Sequence, residues 1–147
     1  MESHELNIGR AGEFIVMADL ILQKRKCFLT DQGCNYDLVV DTERRLFRFQ
    51  VKATLQPRHI NLTYRTPTYL FHVRRAGKKG ERNYEVGEFD GFALVALDTK
   101  QVAYVPFKKE VAKTIILRDR RCTYKQNSGY IAPYIDDFSF DKFLQTI

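Results

Sequence analysis

Tyr36-Asp37-Leu38-Val39-Val40-Asp41 and, four residues on, Leu46-Phe47-Arg48-Phe49-Gln50-Val51-Lys52 decide how this chain is read. Both segments alternate with period two, the repeat of a strand whose successive side chains point to opposite faces. In the second, Phe47, Phe49 and Val51 fall on one face and Leu46, Arg48, Gln50 and Lys52 on the other. With Thr42-Glu43-Arg44-Arg45 as the connecting loop, Asp41 pairs with Leu46 and the pairing sets Asp37 opposite Gln50. Side chains opposed in this way have Cβ atoms about 4.5–5.5 Å apart. A slip of one residue would turn Gln50 and Lys52 into the core and expose Phe47 and Phe49, so burial holds the register. A carboxylate facing an amide and a lysine is a place to hold a metal ion beside a phosphate.

The bulk of the chain sets bounds on what surrounds this hairpin. Its 147 residues suit one domain, 1–147, with a sizeable core. A hydrophobic share of 44% with 13% aromatic argues for a packed fold over disorder. No run of about 18 apolar residues occurs, so a membrane span is not expected. Met1-Glu2-Ser3-His4-Glu5 lacks the apolar core of a signal peptide, which points to an intracellular, cytoplasmic protein, nucleoid-associated in a bacterium. A net charge of +6 favours polyanionic partners. Cys27, Cys34 and Cys122 lack metal-ligand spacing and read as thiols of a reducing compartment. His4, His59 and His72 are too scattered for a ligand cluster.

Ahead of the hairpin, an amphipathic helix is expected from about Leu6 to Lys26, with Ala11, Phe14, Ile15, Ala18 and Leu22 at helical spacing. Ser3 or Asn7 is its expected cap, and Lys24, Arg25 and Lys26 suit its last turn. Glu13 shares a strip with Val16, Met17 and Leu20, where a carboxylate needs a partner or a purpose; the plain alternative is that it points to water beside Arg10. Cys27 to Asn35 reads as a short strand or loop. Strands are expected at His59–Tyr64, Tyr69–Arg74, Gly91–Leu97, Val102–Val105 and Ile115–Leu117, and short helices at Lys108–Lys113 and Phe138–Leu144, the latter capped by Ser139. Helix, hairpin, further strands and a late helix make an α/β layered domain with a mixed sheet flanked by helices. Arg74, Arg75, Lys78, Lys79 and Arg82 form the densest positive run and are the first candidates for contacts to a nucleic-acid phosphate backbone, with Lys125 beside Tyr124 a later one.

Glu13 in Gly9-Arg10-Ala11-Gly12-Glu13-Phe14, Asp37 in Tyr36-Asp37-Leu38-Val39 and the tripeptide Gln50-Val51-Lys52 together resemble the PD-(D/E)XK nuclease superfamily. Within it the chain is most similar to the small homing endonucleases encoded in group I introns. Archaeal Holliday-junction resolvases are a second relative. Glu88-Phe89-Asp90-Gly91-Phe92-Ala93, Val102-Ala103-Tyr104-Val105-Pro106 and Asp136-Asp137-Phe138-Ser139-Phe140 extend the likeness to the intron-encoded group. Most of the superfamily has Glu or Asp where this chain has Gln50, which can still offer a hard oxygen but brings no charge.

The resemblance implies a restriction-endonuclease-like core and Mg²⁺-dependent hydrolysis of double-stranded DNA, with Mn²⁺ able to substitute. Asp37 is then the principal metal ligand, with Gln50 and the Val51 carbonyl completing the protein side. Glu13 binds the metal or orients a water, and Lys52 orients the attacking water or stabilises the developing charge. It implies a homo-oligomer as well, a tetramer on the intron-encoded reading and a dimer on the resolvase reading. The alternatives are a nuclease specific for four-way junctions and a catalytically silent nucleic-acid-binding module.

Overall fold

The computed structural model describes residues 4–58, 68–74, 84–108, 113–120 and 132–147. In chain order the elements are α1 (His4–Leu22), β1 (Lys26–Leu29), β2 (Leu38–Asp41), β3 (Leu46–Thr54), β4 (Thr68–His72), β5 (Gly91–Ala96), β6 (Gln101–Pro106), β7 (Thr114–Arg118), a 3₁₀ turn (Ile135–Phe138) and α2 (Phe140–Gln145). Alternation in β3 makes it two-sided, and both of its edges are used. It pairs antiparallel with β2 and parallel with β5, at the middle of a mixed sheet ordered β1-β2-β3-β5-β6. β4 and β7 form a separate antiparallel pair.

Each face of the larger sheet has its own core. Phe47, Phe49 and Val51 point to the helices and pack with Val16 and Leu20 of α1 and Phe140 and Phe143 of α2. Phe92, Leu94 and Ala103 point the other way, onto Tyr69 and Phe71 of β4, Leu117 of β7 and Ile135. β5 therefore lies between two layers, and all six of its residues are buried, which is why its sequence is apolar without alternation. The observed register pairs Asp41 with Leu46 and Leu38 with Phe49, as the expected loop requires. Among the described residues no helix is long and apolar enough to cross a membrane.

Several expectations are corrected. α1 ends at Leu22, not Lys26, so Lys24, Arg25 and Lys26 do not occupy its last turn. Lys24 takes a left-handed φ of 60°. Its N–H donates to the Ile21 carbonyl, and the Arg25 N–H reaches back to Leu20 at 2.9 Å. This is a Schellman stop, usually built on glycine; here no glycine marks it. Lys26 instead opens β1. Asn7 lies inside the helix and does not cap it. The sheet-facing strip of α1 is Gly12, Val16 and Leu20, whereas Ala11, Phe14, Ala18 and Leu22 are exposed. Asp37 sits just before β2, and Gln50 and Lys52 lie within β3, which runs on to Thr54. The C-terminal helix starts after Ser139, whose hydroxyl accepts the Lys142 N–H as a cap. The strand expected at His59–Tyr64 lies outside the described residues, as does most of the helix expected at Lys108–Lys113.

Gly12 explains why the inner strip wins. A Cβ built on it would stand 2.7 Å from the Ala53 Cβ and 3.5 Å from Val51. The helix thus approaches β3 more closely than any side chain at this position allows. Gly12→Ala gains up to about 1 kcal/mol in helix propensity. Forcing a methyl into a packed contact loses about 1–3 kcal/mol, and both clashing atoms are Cβ atoms that cannot swing away. A net loss of about 1 kcal/mol is expected, read as a lower urea midpoint at unchanged slope.

Candidate active site

Asp37 is placed by the end of the β2–β3 ladder. Its N–H donates to the Phe49 carbonyl at 2.9 Å, and its Oδ2 accepts the Val51 N–H at 2.8 Å. The carboxylate thus stands where the next backbone acceptor of β2 would be. In a strand the N–H and C=O of one residue lie on the same edge, so the Val51 carbonyl faces the same side as Asp37. The paired register ends at Leu38 with Phe49, one residue short of the expected Asp37–Gln50 pair, and the Gln50 side chain in β3 is half-buried.

Lys52 lies two residues further along the same face of β3. Its Nζ donates to the Arg74 carbonyl at 3.4 Å and sits 5.2 Å from the centre of the Tyr84 ring. Neither partner is legible in the sequence, since both come from beyond the hairpin and only the folded sheet brings them in. Glu13 arrives from α1, one residue past the close approach of Gly12.

Three of these groups share one electrostatic environment. Burial raises the Glu13 carboxyl above its ordinary range, and the Asp37 charge adds to this while Arg10 opposes it. Burial also raises Asp37, against the Val51 N–H bond and the Lys52 charge. Burial lowers the Lys52 ammonium, against Asp37. In each case loss of solvent outweighs the partner's charge. Two half-buried carboxylates that hold their protons unusually well, served by one lysine, leave negative charge for a cation to neutralise. Among the described residues no three of His, Cys, Asp and Glu gather into a ligand cluster. The hard oxygens on offer are two carboxylates, the Gln50 amide and the Val51 carbonyl, a donor set that suits Mg²⁺ or Mn²⁺ and not a soft metal.

Asp90 went unnoticed as a support of the hairpin. It accepts the Arg48 N–H and the Arg45 guanidinium, both at 2.8 Å, and so ties the base of the hairpin to the start of β5. Beyond Lys52 a cleft of about 330 Å³ opens between the second half of β3 and β4. Of the basic side chains expected to meet DNA, Arg74 is half-buried next to Lys52, with its Nε unpaired. Arg75, Lys78, Lys79, Arg82 and Lys125 lie outside the described residues.

A family model described as PD-(D/E)XK endonuclease matches residues 3–141. Among solved structures, a bacterial homing endonuclease superposes with a TM-score of 0.68 at 14% identity, over 97% of this chain and 93% of that one. At that identity the likeness is one of fold. None of the curated proteins matches the chain.

Proposed function

Because this chain belongs to the PD-(D/E)XK endonuclease family, we propose that it is a site-specific endonuclease of homing type that hydrolyses phosphodiester bonds in double-stranded DNA with Mg²⁺. The observation that carries this reading is the convergence of Glu13 from α1 and Lys52 from β3 on Asp37, just before β2, which lies within electrostatic reach of each. A cross-strand ion pair alone accounts for Asp37 and Lys52 but leaves the Glu13 carboxylate beside Asp37 without a purpose.

In the proposed mechanism Asp37 would be the principal ligand of a divalent ion, and the Gln50 amide and Val51 carbonyl would complete the protein's share. A divalent cation held there supplies Lewis-acid charge at the phosphate and acidifies water. Glu13 would help to hold the ion or orient a nearby water. The Val51 N–H keeps the Asp37 carboxylate aimed by holding its Oδ2. Lys52, steadied by the Arg74 carbonyl, presents its ammonium to the phosphate, where it positions the attacking water or stabilises the charge that develops. Gln50 in place of an acid leaves the ion with less charge, and Glu13 offsets part of that deficit. Cutting both strands takes two such sites, which a homo-oligomer supplies.

The test is cleavage of pooled random-sequence duplexes and of a synthetic four-way junction, in Mg²⁺ and in EDTA. A small subset of duplexes should be cut in Mg²⁺ and none in EDTA. Cutting of the junction alone would replace this reading with a junction resolvase. Binding without cutting under every condition would make the chain a silent DNA-binding module.

A further inference from the structure

The cleft beyond Lys52 is lined on its polar side by Lys52, Thr54, Gln56, Arg58 and His72, and among the described residues no acidic side chain lines it. From this we infer that it is a subsite for the sugar-phosphate backbone of the DNA strand next to the scissile phosphate, with Thr54, Arg58 and His72 as its contacts. The proposal rests on the nuclease reading above and deepens it.

Period two puts Gln50, Lys52 and Thr54 on one face of β3, so the cleft opens directly off the reacting groups. Two residues of strand advance about 6.6–6.8 Å, close to the step between successive phosphates along one nucleic-acid strand. If Lys52 meets the scissile phosphate, Thr54 falls beside its neighbour.

Charge points the same way. Arg25, Arg45 and Arg120 each engage an aspartate. Arg58 has no ion-pair partner among the described residues, and its backbone is anchored beside the cleft, because its N–H donates to the Thr68 carbonyl at 2.6 Å in a β-bridge. A cation on an anchored backbone, at a cleft where no described acidic side chain competes for it and on a chain of net charge +6, is suited to an anion from outside. The volume is at the lower end of ligand sites, about 300–1,000 Å³, and takes a phosphate with its sugar. The hydroxyl, amide and guanidinium here can all donate to phosphate, and used so they position the strand without reading a base.

Duplex binding in EDTA, followed by anisotropy across a range of salt, tests the assignment. Arg58→Ala should make the plot of log affinity against log salt shallower by about 0.9, the share of one phosphate contact, and the loss should be equal for every duplex sequence. Arg58→Lys should restore the slope. The side chain is exposed and the anchoring bond is main-chain, so folding is not at stake. Methylphosphonates placed singly on either side of the mapped cut identify the phosphate: one of them should weaken the parent and leave Arg58→Ala unaffected. An unchanged slope, a loss that varies with sequence, or a variant as sensitive as the parent to both methylphosphonates overturns the subsite and leaves the nuclease reading standing. A parent that binds no duplex overturns that reading and this proposal with it.

Discussion

Lys52→Met should bind duplex DNA with nearly the parent's affinity and fail to cut it. Methionine matches the length of the aliphatic stem and keeps the packing near Tyr84 and Arg74, so what is lost is the ammonium. A single preorganised donor aimed at developing charge is worth about 10²–10³ in rate. Loss of water positioning would add to that. Lys52→Arg is not a rescue: the planar guanidinium spreads its charge over a wider group than the compact ammonium, in a half-buried place already roofed by a carbonyl. Single-turnover rates with binding measured in parallel decide this, and a Lys52→Met enzyme cutting at the parental rate removes Lys52 from the chemistry.

The pH profile is a second reading of the same site. Asp37 and Glu13 must be ionised to serve a cation, and both are raised. Cleavage should therefore rise with pH at a point above the ordinary carboxylate range. Lys52 must stay protonated to serve a phosphate and is lowered, so cleavage should fall again before free lysine would titrate. The window is narrowed from both ends, as the profile of kcat/KM, which reports the free enzyme, will show.

Asp37→Asn should abolish cleavage and also make the protein more stable at neutral pH. The amide oxygen can still accept the Val51 N–H, so the local hydrogen bond survives. The charge does not. A carboxyl raised in the folded state keeps a proton there that the unfolded chain releases, so stability is fully present below the unfolded value and falls as pH rises through the folded one. Above that interval the parent carries a half-buried carboxylate at a cost, and the variant does not. Urea midpoints of the two should coincide in acid and separate towards neutrality, with the variant higher. Mg²⁺ should raise the parent's midpoint alone, because only the parent binds it in the folded state. A variant that cuts as the parent does, or responds to Mg²⁺ as the parent does, would remove Asp37 from metal binding.

The β2–β3 register, Asp41 with Leu46 through Leu38 with Phe49, was legible because burial leaves β3 one register, and alternation and apolar runs marked β5, β6 and β7. α1 was misread because its sequence is apolar on more than one side. Periodicity finds the Ala11–Phe14–Ala18 strip as readily as the Gly12–Val16–Leu20 strip, and only the missing Cβ of Gly12 tells which can reach the sheet. Its end was misplaced because a lysine, not a glycine, takes the left-handed position. Tyr84 and the Arg74 carbonyl carried no signal, and Asp90 stood in a quoted motif without a role, since their value lies in distant pairing that a local pattern does not encode. The cleft beyond Lys52 was missed for the same reason, although Thr54 continues the polar face of the hairpin in plain sight.

Synthesis on the ribosome delivers Glu13, Asp37, Gln50 and Lys52 well before Gly91. A nascent chain halted there holds every group proposed for the chemistry, yet β3 lacks its parallel partner and Gly12 lacks Val95, one of the side chains it packs against. The sheet then stops at an open β3 edge, and Phe47 and Phe49 lack Phe140 and Phe143, which complete their core; the β3–β5 pairing is long-range and late to form. Competence to cut should therefore switch on only once β5 has been made and docked, so that an unfinished copy of this protein is harmless to the DNA around it.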